Sequence, residues 1–184
     1  TDPRELLKNI ARIFEQLKIP YLVTGGMAVL VWGRPRFTAD IDIVVEIKPS
    51  DVGGLVNALK ALGKAGYIDE DAATETVVNG GEFNFIDGTT GVKVDFWVSD
   101  NGDFDLSRFE RCSTKEILGQ KIFFTSPEDL ILSKLKWYKL SGSNRHLEDA
   151  ESVIKISGAD LDSGYLALWA KELGVTEGLK ELGV

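Results

Sequence analysis

One cysteine, one histidine and one methionine are present among 184 residues. A single Cys112 can close no internal disulfide and build no cysteine zinc cluster, and a thiol of this kind fits a reducing cytoplasm. With His146 as the only histidine, a histidine-rich metal centre is excluded, as is a catalytic triad centred anywhere else. No apolar run reaches the roughly 18 residues that a membrane-spanning helix needs, and the opening residues Asp2, Pro3 and Glu5 have none of the character of a signal peptide. A soluble, cytoplasmic protein without a membrane partner is therefore expected. Basic residues are also in deficit. Lys plus Arg number 21 against 29 Asp plus Glu, so the net charge is −8. That balance works against a broad nonspecific grip on a nucleic-acid backbone, although a local basic patch could still serve one strand end or a tRNA.

What is present is ordinary for a globular chain: 43% hydrophobic and 27% charged residues, enough for one core with a helical appendage. PRELLKNIARIFEQL repeats Leu6, Ile10, Phe14 and Leu17 at helical spacing behind Pro3. Tyr21-Leu22-Val23 reads as a short buried strand running into Gly25-Gly26, and MAVLVWG as a helix too apolar to face solvent. After a polar connector at 34–39, DIDIVVE over Asp40–Glu46 reads as a second strand. Val52, Leu55, Leu59 and Leu62 then share one helical face behind Ser50 or Asp51. From Thr74 to Val98 the period is two, so TETVVNG and EFNFIDG are expected as strands around a turn at Asn79-Gly80, with DGTTG as a further turn before VKVDFWV. Residues 99–110 read as an acidic loop and 111–125 as short strands. Ser126, Pro127 and Asp129 start a helix by three signals, and two or three further helices follow. The expected class is α/β (α+β), a mixed sheet with flanking helices over residues 1–125 and a C-terminal helical module over 126–184.

The chemistry sits in the carboxylates. Alternate strand residues share a face, so Asp40 and Asp42 project together, roughly 7 Å apart. In VKVDFWV the same parity puts Lys93, Asp95 and Trp97 on one face, with Asp95 at a mid-strand position where acids are depleted. If the two strands pair, three carboxylates converge into a hard-oxygen site for Mg2+ or Mn2+, suited to holding a triphosphate and orienting a nucleophile. Gly25 and Gly26 at a strand-to-helix turn leave backbone N–H groups free for phosphate oxygens. Neither a P-loop nor a GxGxxG pattern accompanies them.

The string GG-MAVLVWG-RPRFTADIDI followed by VDF at 94–96 resembles the DNA-polymerase-β-like nucleotidyltransferase superfamily, over roughly residues 5–100. The resemblance implies triphosphate binding by Gly25 and Gly26, metal binding by Asp40 and Asp42, and a role for Asp95 on the metal that activates the incoming hydroxyl. Arg36 and Thr38, in the Arg-x-Thr before the acids, resemble the approach segment of minimal members and are expected at the nucleotide. For Arg34 and Arg36, a solvated loop position and a phosphate contact both stay open.

Lys134 stands inside the apolar stripe of Leu130, Ile131 and Tyr138, either snorkelling to solvent or delivered to a triphosphate. Together with RHLEDA at 145–150, SPEDLILSKLKW resembles the downstream part of nucleotidyltransferases of the abortive-infection (AbiEii-like) toxin type. That implies phosphate contact for Lys134, a supporting role for Asp149, NTP as substrate and a cognate antitoxin as partner. Arg145, four residues before Asp149, is a candidate ion-pair partner for it. His146 reads as a surface or cap-side helical residue. The four tryptophans read as packing residues, with Trp97 bordering a nucleotide as a second reading. The expected activity is metal-dependent NMP transfer to a hydroxyl or phosphate acceptor with pyrophosphate release. Its alternatives are a catalytically idle relative and an aminoglycoside-type enzyme. The acceptor could be tRNA, protein or a small molecule.

Overall fold

The computed structural model describes residues 2–184. The first helix, α1 (Pro3–Leu17), is fixed at both ends by local chemistry. Asp2 accepts a hydrogen bond from the Arg4 backbone N–H at 2.9 Å, and Lys18 closes the helix in the left-handed region. There follow β1 (Tyr21–Thr24), α2 (Gly25–Trp32), β2 (Asp40–Val45), α3 (Val52–Lys60), α4 (Glu70–Asn79), β3 (Gly81–Ile86) and β4 (Lys93–Val98). Then come α5 (Asp103–Glu110), β5 (Ser113–Ile117), β6 (Gln120–Phe124), α6 (Pro127–Ser141), α7 (Asn144–Ser157), α8 (Ser163–Glu172) and α9 (Thr176–Glu181). None of the described helices is long and apolar enough to cross a membrane.

The six strands form one mixed sheet in the order β3-β4-β2-β1-β6-β5. β2 and β4 are parallel, with Asp42 opposite Asp95 and Asp40 opposite Lys93. β1 runs antiparallel to β2 and parallel to β6. Alternation then sorts the faces. Ile41, Ile43, Val94 and Phe96 enter the core, where Phe14 of α1 stacks on Tyr21 at 4.9 Å and meets Phe96 edge-on at 5.9 Å. The opposite face, with Asp42, Asp95 and Trp97, turns toward α6.

α2 packs between the sheet and helices α6 and α7. Its last residue, Trp32, ties these layers together: the indole N–H donates to the Thr125 carbonyl at 2.9 Å, and Ser157 Oγ donates to the Trp32 carbonyl at 3.1 Å. The start of α6 is capped as its sequence indicates, Ser126 Oγ accepting from the Asp129 N–H at 3.1 Å and donating to its carboxylate at 2.9 Å. Asp129, fully buried, also accepts from Tyr165 Oη at 2.6 Å. That phenol is within 2.8 Å of Ser107 Oγ, so α5, α6 and α8 are joined through one buried polar chain.

Two segments depart from their sequence patterns. Residues 70–79 are helical, with Asp69 accepting from the Ala72 N–H at 3.0 Å, and Thr74 and Thr76 hydroxyls bonding back to the carbonyls four residues earlier. Asn79-Gly80 is accordingly a helix C-terminus, and Gly80 supplies the positive φ that it needs. The hairpin lies one turn later, at Asp87–Val92, where Asp87 accepts from both the backbone N–H and the hydroxyl of Thr90. Residues 103–110, expected as loop, form α5. Asp103 and Asp105 favour its N-terminus and Arg108 pairs with Asp105 at 3.0 Å.

Phe14→Ala removes a fully buried ring from the centre of this packing. It should cost about 3–5 kcal/mol of stability, read as a lowered urea midpoint at an unchanged m value.

Candidate active site

The site begins at the β1-to-α2 turn. Gly25 has φ +59, and a Cβ there would overlap Asp42 Oδ2. A Cβ on Gly26 would strike Thr38 Oγ1, which in turn donates to the Asp40 carbonyl at 3.1 Å. The double glycine therefore lets the turn press directly against the strand that carries the acids. The close approach is to protein before it is to any ligand.

Asp42 and Asp95 face each other across two parallel strands, with Asp40 two residues earlier on the same face. Burial pushes the Asp42 carboxyl up; the Trp97 indole opposes this, while Asp95 and Asp40 add to it and Lys134 pulls it down. Lys93 Nζ sits 2.7 Å from Asp95 Oδ2, and this bond raises the lysine above its ordinary value. Burial and the neighbouring Asp95 push Glu82 up as well. Among the described residues no three such side chains are gathered closely enough to form a ready metal cluster. The donors nevertheless fit a hard divalent cation: all are carboxylate oxygens, two stand in direct register, and a lysine ammonium already occupies the cationic position beside one of them.

The second half of the site comes from α6 and α7. Lys134 is 6% exposed and pairs with Asp149 Oδ2 at 2.8 Å, so it does not snorkel to solvent. Arg36 reaches the same carboxylate in bidentate fashion, its Nε and Nη2 each donating at 2.7 Å. Burial would raise the Asp149 carboxyl, yet Arg36 and Lys134 together hold it below the usual carboxylate range. Arg145 is not its partner. That guanidinium donates to the Phe37 carbonyl at 3.3 Å, where Arg36 Nη1 also donates at 3.0 Å.

Two adjoining clefts meet at Asp42, Lys134 and His146. The smaller, about 410 Å³, is bordered by Gly26, Arg36, Thr38, Asp40 and Arg145. The larger, about 630 Å³, lies between Asp95 and Trp97 on β4 and Lys134 and Trp137 on α6. Gly25, Gly26, Arg36, Thr38, Asp40, Asp42, Asp95, Lys134 and Asp149 thus all border one of these clefts, whereas Arg34 borders neither and its backbone N–H donates to Ser152 Oγ at 3.2 Å. His146, expected as a surface or cap-side helical residue, does sit in the first turn of α7 but lies at the junction of the clefts with its Nδ1 enclosed and unbonded. Burial and Lys134 lower its pKa, which favours the neutral ring. Trp137, read as a packing residue, is 41% exposed and lines the larger cleft, and the Arg36–Asp149 pair went unread because 113 residues separate its members.

The six-stranded mixed sheet with its flanking helices is consistent with a nucleotidyltransferase fold. The sequence model of the nucleotidyl transferase AbiEii toxin family, Type IV TA system, matches residues 7–174, and the chain belongs to that family. Solved structures agree on the fold. ANT(2")-Ia, in complex with adenylyl-2"-tobramycin, aligns over 94% of this chain and 97% of its own, with TM-score 0.61 and 16% identity. An antigenic nucleotidyltransferase-like protein from Paracoccidioides brasiliensis aligns over 97% and 86%, with TM-score 0.61 and 19% identity. The lincosamide antibiotic adenylyltransferase LnuA, lincomycin-bound, aligns over 83% and 98%, with TM-score 0.52 and 17% identity. Comparison with curated protein sequences returns no match.

Gly25→Ala should lower stability by about 2 kcal/mol through its left-handed φ alone, with a further loss from the Asp42 overlap, measured by chemical denaturation. Asp149→Asn leaves the buried Lys134 and the half-buried Arg36 short of a counter-charge and should cost about 3 kcal/mol at neutral pH. Because the folded pKa of Asp149 lies below the unfolded one, its stabilisation is complete above the unfolded value and is lost as pH falls through the folded value. The difference in thermal midpoint between wild type and Asp149→Asn should therefore shrink toward strongly acidic pH. A difference that stays constant down the acid range would refute the ion-pair role.

Proposed function

We propose that the protein is a divalent-metal-dependent enzyme that moves NMP from an NTP onto a hydroxyl or phosphate acceptor and releases pyrophosphate, acting as the toxin member of a toxin–antitoxin or phage-defence pair. The observation that carries the reading is the direct register of Asp42 with Asp95 at the meeting point of two clefts, opposite Lys134. Family membership supports the transfer chemistry and the toxin role.

In this reading the smaller cleft takes the outer phosphates. Gly26 and Thr38 border it, and Arg36, Lys134 and Arg145 supply positive charge. Asp149 holds Arg36 and Lys134 in place before the nucleotide arrives, so little reorganisation is needed when charge develops on the phosphoryl group. The larger cleft holds the nucleoside and the acceptor oxygen. The acceptor O–Pα bond forms as the Pα–O–Pβ bond breaks, and Asp95 takes the hydroxyl proton. Asp40, Asp42 and Asp95 would hold Mg2+ or Mn2+, which would neutralise phosphate charge and acidify the attacking hydroxyl.

A small cationic acceptor is a second reading, favoured by Glu82, Asp100 and Asp105 along the larger cleft and by the net charge of −8. Two fold neighbours were solved with adenylyl-2"-tobramycin and with lincomycin. Incubation with labelled NTPs, with and without magnesium, against separate pools of tRNA, protein and aminoglycoside decides among the acceptors. Absence of labelling and of pyrophosphate release in every pool would leave only an idle nucleotide binder.

Asp95→Asn should lower turnover by several orders of magnitude while nucleotide affinity stays within a few-fold, since its contribution is made in the transition state. Lys134→Met should weaken both NTP affinity and rate. Wild-type affinity and turnover in a folded Lys134→Met protein would remove the lysine from the phosphate site.

A further inference from the structure

The two walls of the larger cleft repeat one arrangement. On α6, Lys134 stands at the junction and Trp137 follows three residues later, roughly 4.5 Å further along the axis. On β4, Asp95 is followed on the same face by Trp97, roughly 7 Å further along the strand. On both walls an aromatic ring thus follows a charge, and both rings line the larger cleft and not the phosphate-sized one. The two indoles meet at 5.3 Å with an interplanar angle of 62°, making a corner rather than a closed stack. His146 backs Trp137 from the junction side, its ring 6.4 Å away and 27° from parallel. Trp137 remains 41% exposed although it lines a cleft between two packed elements, and Leu140, one turn beyond, is 69% exposed at the mouth. Apolar surface of this extent is left facing a polar site.

We infer that Trp97 and Trp137, braced by His146, form the base-binding subsite of the donor nucleotide, with the planar nucleobase stacked against the indole of Trp137. The inference rests on the triphosphate reading of the smaller cleft. A nucleotide carries its charge at one end and its flat apolar surface at the other, joined by a sugar, and both walls present charge and aromatic surface in that order. The acceptor offers no such match, because it meets the donor at the α-phosphate and not along the whole cleft. Stacking on an indole tolerates any base. Selection among the four then falls to polar groups at the edge of the corner.

The test is calorimetric titration of the full chain with magnesium, using the four NTPs and inorganic tripolyphosphate as separate probes. Wild type should bind its preferred NTP at least about tenfold more tightly than tripolyphosphate, the excess being the contribution of stacking. Trp137→Leu, which keeps apolar bulk, should erase most of that excess and leave tripolyphosphate affinity unchanged. Trp137→Phe should retain most of it, which shows that loss in the leucine variant is not a folding defect. Equal NTP affinity in wild type and Trp137→Leu, with tripolyphosphate still bound, overturns the subsite while sparing the phosphate reading. An unchanged NTP affinity with a raised KM for the acceptor alone also overturns it and assigns the corner to the acceptor. Failure of wild type to bind tripolyphosphate or any NTP overturns the phosphate reading and the subsite with it.

Discussion

Two aspartates in direct register on adjacent parallel strands are an electrostatic cost that the surrounding structure answers. Asp42 and Asp95 repel each other, and burial makes that repulsion stronger than it would be in water. The answers are local and each can be named. Lys93 binds Asp95 from two residues away on the same strand, while the Trp97 indole and the Lys134 ammonium act on Asp42. The double-glycine turn brings backbone against Asp42 where no side chain could fit. A protein selected only for stability would have placed apolar residues at these positions. Here the two aspartates line a cleft instead, with Lys134 on the facing helix.

Much of this was legible because strand parity is a strict rule. Placing Asp40 with Asp42, and Lys93 with Asp95 and Trp97, needs only alternation, and the observed faces follow it. The helix start at Ser126 was equally plain, since cap, proline and first-turn acid all act within one turn. The misreadings have equally local causes. Asn79-Gly80 satisfies the chemistry of a hairpin turn and that of a helix end alike, because both require positive φ at the glycine. Thr74 and Thr76 carry strand propensity, but their hydroxyls can bond back within a helix, and Asp69 caps it. α5 is short and acidic and owes its place to Phe104 against Trp169 and to Ser107 against Tyr165, contacts with residues far along the chain.

Long-range pairing was the part that no local pattern could supply. Arg145 lies at helical spacing from Asp149 and was the obvious partner by sequence. Arg36 wins because its planar guanidinium arrives from the connector before β2 with both nitrogens aligned on the two carboxylate oxygens, whereas Arg145 is drawn to the Phe37 carbonyl. His146 gave no warning of its position for a similar reason. Its surroundings are set by the crossing of α6 and α7, two helices whose mutual placement is a tertiary fact.

The Arg36–Asp149 clamp also has a meaning in time. A ribosome makes residue 36 long before residue 149, and the two cationic side chains at the smaller cleft lack the Asp149 counter-charge until α7 has been made. The acids, by contrast, are all synthesised by residue 95. A growing chain therefore holds all three acids before it holds the carboxylate that arranges the two cations. The half of the cleft that is written last in the chain is thus the half whose charges are already paired, and a single carboxylate on α7 does the pairing.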